Sequence, residues 1–216
     1  MRQPSATHSR DAATCQHASS SRTCLLMRWR GVQFFFVATL LLCFGRSLGA
    51  DPIVGRTYAL NLADVDGNML ATADGHVTVI VFSKVADLDK ARLVGDQVPE
   101  YCVGNPAYRF ITLVSFVRKQ GRLSRFVSTI LARRRLDAEA KRLQPRYAAK
   151  KLTRNPRGDV FAVLDFDGSA ASNLGIGANS SEFQVLVLNG KGELLQRWTN
   201  VPTSDQLATV LNKTVK

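Results

Sequence analysis

The stretch His76-Val-Thr-Val-Ile-Val-Phe82, continued by Ser83-Lys-Val-Ala86 and by Asp87–Val98, decides the fold. Its first seven residues are mostly β-branched or apolar, a run typical of a strand buried on both faces in the middle of a sheet. From Asp87 to Val98 the apolar residues recur at helical spacing, and Pro99 then ends the helix. The stretch therefore predicts a central strand that leads almost directly into a helix.

The chain after this stretch predicts a parallel pair of strands and a long helix. A second buried strand at Tyr108–Phe116 completes a strand-helix-strand unit, for which a right-handed crossover is expected. An amphipathic helix follows from Gly121 to Leu143. Pro145 is expected to interrupt it, because proline removes a backbone hydrogen bond and clashes with the preceding turn. The apolar stripe of this helix consists of Leu123, Phe126, Val127, Ile130, Leu131, Leu136, Ala140 and Leu143.

The rest of the chain completes one α/β domain. Gly190-Lys-Gly192 separates two apolar runs, which is the pattern of a β-hairpin. The other predicted elements are strands at Tyr58–Leu62, Asp159–Leu164, Phe183–Asn189 and Glu193–Trp198, and helices at Ser169–Leu174 and Thr203–Asn212.

Three segments in this order, Val79–Phe82, Val163–Gly168 and Val185–Leu195, resemble the thioredoxin-like fold in its peroxiredoxin or TlpA-type variety. The resemblance covers about residues 55–214. It implies an α/β domain with a central mixed sheet of about five strands flanked by helices, here with a long basic helix as an insertion. It also implies where a redox site would lie.

In that family the helix after the central strand opens with CxxC, or with a threonine and a peroxidatic cysteine, because a helix N-terminus stabilises a thiolate. A cis-proline faces the site, at the start of the strand that here begins near Phe183. This chain has no cysteine in the equivalent loop and no proline between Pro156 and Pro202. The sequence therefore resembles a redox-inactive member, for which no cofactor is expected. The active-site-equivalent loop carries Ser83, Lys84, Asp87 and Lys90.

Cys102 is the one cysteine beyond residue 50, so that part of the chain cannot form an internal disulfide. We expect it just past the C-terminal end of the first helix, near Glu100, where negative potential raises a thiol pKa. The alternative hypothesis is a thiol oxidoreductase or peroxidase that uses Cys102. His76 is the one histidine in the same part, which leaves too few ligands for a usual zinc or copper site, and no metal is expected.

The segment 118–157 carries fourteen Lys or Arg residues and two acids, whereas the rest of residues 51–216 has nine bases and fourteen acids. Such a segment is either a solvated polar face or a surface that contacts anions. The expected partner is an acidic protein or an anionic membrane surface; scarce interleaved aromatic residues argue against nucleic acid. The predicted contact residues are Arg133, Arg134, Arg135, Lys141, Arg142, Lys150, Lys151, Arg154 and Arg157.

Residues 1–50 are predicted to be a targeting segment. Arg28 and Arg30, the apolar run Gly31–Phe44 and the small residues of Ser47–Ala50 have the order of a signal peptide spanning 27–50. Cleavage after Ala50 would release the domain 51–216 into the periplasm or outside the cell. An N-terminal membrane anchor and an organellar presequence are the alternatives. The sequence thus predicts an exported, non-catalytic thioredoxin-like domain that binds an anionic partner or surface.

Overall fold

The computed structural model describes residues 51–116, 118–177 and 182–214. The predicted signal peptide lies outside them. Among the described residues no helix combines the length and the apolarity needed to cross a membrane. The strands are β1 (Asn61–Ala63), β2 (Met69–Ala71), β3 (Val77–Lys84), β4 (Tyr108–Ser115), β5 (Val160–Asp165), β6 (Gln184–Leu188) and β7 (Leu194–Trp198); the α-helices are α1 (Leu88–Asp96), α2 (Arg122–Ala149), α3 (Ser169–Asn173) and α4 (Ser204–Lys213).

Five strands form one mixed sheet in the order β5-β4-β3-β6-β7. β3 pairs in parallel with β4, and β4 in parallel with β5, whereas β6 is antiparallel to both β3 and β7. β1 and β2 form a separate antiparallel hairpin. The predicted α/β domain, with a central mixed sheet of five strands flanked by helices, is therefore confirmed.

The central strand β3 is buried on both faces, and its alternate residues enter two separate hydrophobic clusters. Ile80 and Phe82 belong to the cluster beneath the β1–β2 hairpin and α3. Val79 and Val81 belong to the other, which we call the helix-side cluster because it packs α1, α4 and the end of α2 against the sheet. Among the described residues, both clusters consist of residues between 58 and 211.

The helix α2 continues through Pro145 to Ala149, and the prediction that Pro145 would interrupt it was wrong. Contacts just beyond the proline explain why the last turn persists. Tyr147 is only 1% exposed, and its hydroxyl donates to the Asp159 carboxylate. The Lys150 ammonium donates to the Val103 carbonyl at 2.9 Å. These tertiary contacts outweigh the local cost of proline, which propensity alone cannot anticipate.

The two ends of α2 differ in burial. Ala140 and Tyr147 are buried and Leu143 packs against the helix-side cluster. Four apolar residues of the first three turns are exposed instead: Leu123 by 76%, Phe126 by 64%, Leu131 by 52% and Val127 by 46%. We therefore divide α2 into an exposed half, residues 122–132, and an anchored half, residues 133–149. Only the end of the predicted stripe packs against the core.

Candidate functional site

The loop that the resemblance makes equivalent to an active site joins the central strand to the first helix. β3 ends at Lys84, a 3₁₀ turn covers Val85–Asp87, and α1 begins at Leu88. The Asp87 carboxylate pairs with the Lys90 ammonium at 2.8 Å. These two residues are three apart at the start of the helix, which is the spacing of the cysteines in a CxxC motif. An ion pair at the start of this helix therefore has the spacing that the two cysteines of a CxxC motif would have.

Phe183 closes the opposite side of this loop. It precedes β6, where the resemblance places a cis-proline, and its ring is buried. The Lys90 ammonium lies 5.9 Å from the centroid of the ring, within the range of a cation–π contact. Continuing the β3–β6 register by one residue beyond the Phe82–Gln184 pair brings Phe183 opposite Ser83. An aromatic ring therefore fills the space beside the start of α1.

Two buried polar side chains lie at the same end of the β3–β6 pair. Ser83 and Gln184 are fully buried, and within the described ranges neither side chain has a hydrogen-bond partner. An unsatisfied buried polar group costs about 1–3 kcal/mol. The strand alternation places Ser83 on the helix-side face and Gln184 on the other, so the two do not form one site.

Cys102 is a buried free thiol in the 3₁₀ turn Glu100–Cys102, 2% exposed, within the helix-side cluster. Burial raises its pKa to about 12, while a hydrogen bond with Tyr101 and the charge of Lys150 act in the opposite direction. The sequence predicted a raised thiol pKa, which agrees with this value. The predicted cause was the end of a helix, whereas the cause in the structure is burial. At neutral pH the sulfur is a protonated thiol away from the start of α1.

The structure divides the nine predicted anion-contacting residues into two groups. Five hold partners within the protein. These are Arg133 with Asp66, Arg142 with Asp96 and Glu139, Lys150 with backbone carbonyls, Arg154 with Asp159, and Arg157 with Asp66 and Asp137. Arg134, Arg135, Lys141 and Lys151 have no ion-pair partner among residues 51–116, 118–177 and 182–214.

The predicted contact segment 118–157 spans the exposed half of α2, but the list of predicted contact residues includes none from this half. Arg118 and Lys119 precede this half and Arg122 begins it, and in the described part of the chain none of them forms an ion pair. The Arg125 guanidinium sits 5.1 Å from the centroid of the Phe166 ring. The apolar stripe was visible in the sequence, but a pattern does not reveal whether another part of the protein covers it. The surface available to a partner is therefore both basic and apolar.

The strand order and directions of the sheet, with a helix that opens after its central strand, define a thioredoxin-like fold. Among solved structures, the chain is similar to the pneumococcal exposed lipoprotein thioredoxin Etrx1 from Streptococcus pneumoniae, with a TM-score of 0.44 and 14% identity over 72% of this chain and 98% of that one.

StoA from Bacillus subtilis gives a TM-score of 0.43 and 14% identity over 73% of this chain and 98% of that one. A DsbF homologue from Corynebacterium diphtheriae gives 0.45 and 12% identity over 73% of this chain and 85% of that one. No protein-family model matches the sequence, and no curated protein matches it.

Proposed function

We propose that residues 51–216 are an exported, non-catalytic thioredoxin-like module that binds an anionic membrane surface through the exposed half of α2 and the neighbouring base Arg134. One observation carries this proposal: Leu123, Phe126, Val127 and Leu131 are exposed on a helix whose neighbouring bases are left without ion-pair partners in the described residues. Helices that lie at the boundary between headgroups and acyl chains combine these two features.

The energetics favour a lipid surface over an acidic protein that recognises charge alone. Each basic residue near an anionic membrane contributes about 1 kcal/mol, and each large apolar side chain that is fully buried contributes about 1.5–3 kcal/mol. The exposed half of α2 offers both contributions from one helix face and its flanks. A purely electrostatic partner would leave Leu123 and Phe126 in water.

The absence of catalysis is supported by the chemistry of the active-site-equivalent loop. Asp87 and Lys90 neutralise each other at the start of α1, and Phe183 fills the space beside them. Neither charged group is a redox nucleophile. The rival hypothesis, a thiol oxidoreductase or peroxidase acting through Cys102, requires a thiolate from a buried thiol whose pKa is raised to about 12.

Vesicle sedimentation tests the membrane proposal. Purified 51–216 is expected to sediment with vesicles of phosphatidylglycerol and phosphatidylcholine, and not with phosphatidylcholine alone. Leu123→Ser should weaken binding at least about fivefold, as expected for losing 1 kcal/mol or more of apolar burial. Leu93→Ser is the matched control, because Leu93 is an exposed leucine on α1 and lies off this surface. Equal effects of the two variants would contradict the proposal.

The charge contribution is tested by reversal. Arg134→Glu should weaken binding to the same vesicles about tenfold at low salt, and the difference should shrink in about 1 M salt because screening shortens the range of the interaction. Lys191→Glu, at the exposed β6–β7 turn, should leave binding unchanged. Salt-sensitive capture of an acidic protein together with indifference to anionic vesicles would favour a protein partner instead.

An insulin-reduction assay separates the non-catalytic proposal from its rival. The wild-type domain should show no activity above buffer with dithiothreitol. The double variant Asp87→Cys and Lys90→Cys supplies the missing dithiol at the start of α1 and serves as a positive comparison for thiol reactivity at that position. Wild-type activity that disappears in Cys102→Ser would establish the thiol oxidoreductase hypothesis.

A further inference from the structure

A cavity of about 520 Å³ lies on the helix-side face of the sheet, between α1 and α2 and above β4 and β5. Its volume falls within the ~300–1,000 Å³ range of small-molecule sites. Its walls are mainly apolar, and Leu88, Ala91, Phe110, Val114, Ala132 and Leu136 line it. Neither the active-site-equivalent loop chemistry nor the exposed stripe of α2 accounts for this space.

The cavity is long and narrow. Along α2 its lining extends from Ser128 to Tyr147, which at a helical rise of 1.5 Å per residue is roughly 28 Å. A volume of about 520 Å³ spread over that length leaves a slot rather than a round chamber. This shape suits an extended flexible chain better than a compact ring system.

Over β4 and β5 the cavity wall is mainly apolar, and Tyr108 and Thr112 are the lining residues of these strands whose side chains carry a polar group. Within the described ranges, the buried side chains that lack a partner are Ser83, Gln184 and Arg197, and none of them lines the cavity. The Tyr147 hydroxyl, which does line it, donates to Asp159. Water in such a space finds few partners, and so does a peptide, whose backbone carries a donor and an acceptor at nearly every residue. An aliphatic chain needs no such partners.

Positive charge lies at the mouth. Arg92 on α1 and Arg135 on α2 both line the cavity and are exposed, so they stand on its solvent side. No described residue forms an ion pair with either one, whereas the lining acids Glu139 and Asp159 are already paired with arginines. Asp89 is the remaining acid of the lining. Guanidinium groups are well suited to hold a carboxylate or phosphate through paired hydrogen bonds.

We propose that this cavity binds a single-chain anionic amphiphile of the fatty-acid or lysophospholipid class. The chain lies in the slot between α1 and α2, and the anionic head lies between Arg92 and Arg135. The proposal does not depend on vesicle binding by the exposed half of α2, because Leu123, Phe126 and Val127 do not line the cavity; of the four exposed apolar residues named above, Leu131 alone does.

Fluorescence titration with cis-parinaric acid tests the cavity directly. The domain 51–216 should bind this fluorescent fatty acid saturably, with one site per chain, and palmitate should displace it. Hexadecanol, which has the same chain length without the charge, should displace it at least about tenfold less well, the equivalent of losing a charge-assisted hydrogen bond. Absence of saturable binding, or equal displacement by the two competitors, would overturn the proposal.

Two variants locate the binding. Ala132→Phe fills the slot and should reduce parinarate affinity at least tenfold, with a urea unfolding curve recorded to verify folding. Arg92→Glu changes an exposed residue that is not expected to affect folding, and it should weaken palmitate about tenfold while leaving hexadecanol unchanged. Lys191→Glu is the matched charge control. Binding that survives both Ala132→Phe and Arg92→Glu takes place elsewhere and refutes the assignment.

The vesicle-binding variant keeps the two proposals separate. Leu123→Ser should weaken vesicle sedimentation and leave parinarate affinity unchanged, because Leu123 does not line the cavity. Arg92→Glu should do the reverse. A variant that changed both measurements in parallel would mean that the fatty acid binds at the exposed stripe and not in the cavity.

Discussion

The two halves of α2 are built from similar residues and are used in opposite ways. In the anchored half, Arg133, Arg142 and Arg146 pair with acids of the body of the protein, and Tyr147 is buried. In the exposed half, apolar side chains face solvent beside bases without ion pairs in the described residues. The difference shows that a basic, amphipathic segment is not one functional unit. The position of acids elsewhere in the fold decides which part is free.

The uneven charge distribution of the sequence has a structural role in this comparison. Asp66 in the hairpin turn, Asp96 at the end of α1 and Glu100 just beyond it supply the negative charges that hold the anchored half. Residues remote in sequence thus neutralise part of the segment 118–157 internally. The net charge of the segment therefore overestimates the charge that is available to a partner.

The largest effect is expected for alkylation of Cys102, which lies in the cluster that the anchored half helps to cover. Its pKa of about 12, against an ordinary value of 9.0, lowers the thiolate fraction at pH ~8 about a thousandfold. Iodoacetamide should therefore modify the folded protein at least about a thousandfold more slowly than the urea-unfolded protein. Mass spectrometry of timed aliquots measures both rates. Rapid modification of the folded protein near pH ~6 would instead support a reactive cysteine.

The second prediction compares aromatic residues in the two halves. Tyr147→Ala should lower the free energy of unfolding by about 3 kcal/mol, because it removes a buried ring and leaves Asp159 without its hydroxyl partner. Phe126→Ala should change it by less than about 0.5 kcal/mol, since that side chain is 64% exposed. Urea denaturation followed by circular dichroism measures both. Similar losses would mean that the exposed half also packs against the protein.

Much of this architecture could be predicted from the sequence, for identifiable reasons. The β-branched run at Val77–Phe82 indicates a strand that is buried on both faces. The start of a helix after Lys84 follows from the spacing of the apolar residues. The position of the loop between β3 and α1 could be predicted because the ends of these two elements are visible in the local pattern. The C-terminal end of α2 could not be predicted in this way. The helix continues past Pro145 because Tyr147 and Lys150 contact residues that are distant in sequence.

The third prediction concerns Pro145, which lies in the anchored half and is exposed. Pro145→Ala should raise the free energy of unfolding by about 1–2 kcal/mol. It restores a backbone hydrogen bond to Lys141 and removes a clash, although the unfolded chain regains some freedom. A thermal melt against wild type measures the gain. Destabilisation would mean that a proline-induced bend is needed to seat Tyr147.

The smallest effect separates two adjacent arginines. Arg133 pairs with Asp66 at 3.2 Å and donates to the Val65 carbonyl at 2.9 Å, whereas Arg134 has no ion-pair partner within the described ranges. Arg133→Gln should therefore cost about 1 kcal/mol of stability, as expected for a half-exposed ion pair with an added hydrogen bond. Arg134→Gln should cost less than about 0.5 kcal/mol.

The same two variants should exchange their order in vesicle sedimentation. Arg134→Gln removes a charge that is free to meet a headgroup, while Arg133→Gln removes one already satisfied by Asp66. Salt tests whether both differences are electrostatic, because about 1 M NaCl should reduce the stability difference and the binding difference together. If instead both variants weakened vesicle binding equally, the ion pair of Arg133 would not keep that residue from the membrane, and paired as well as unpaired bases of α2 would have to be counted in the contact face.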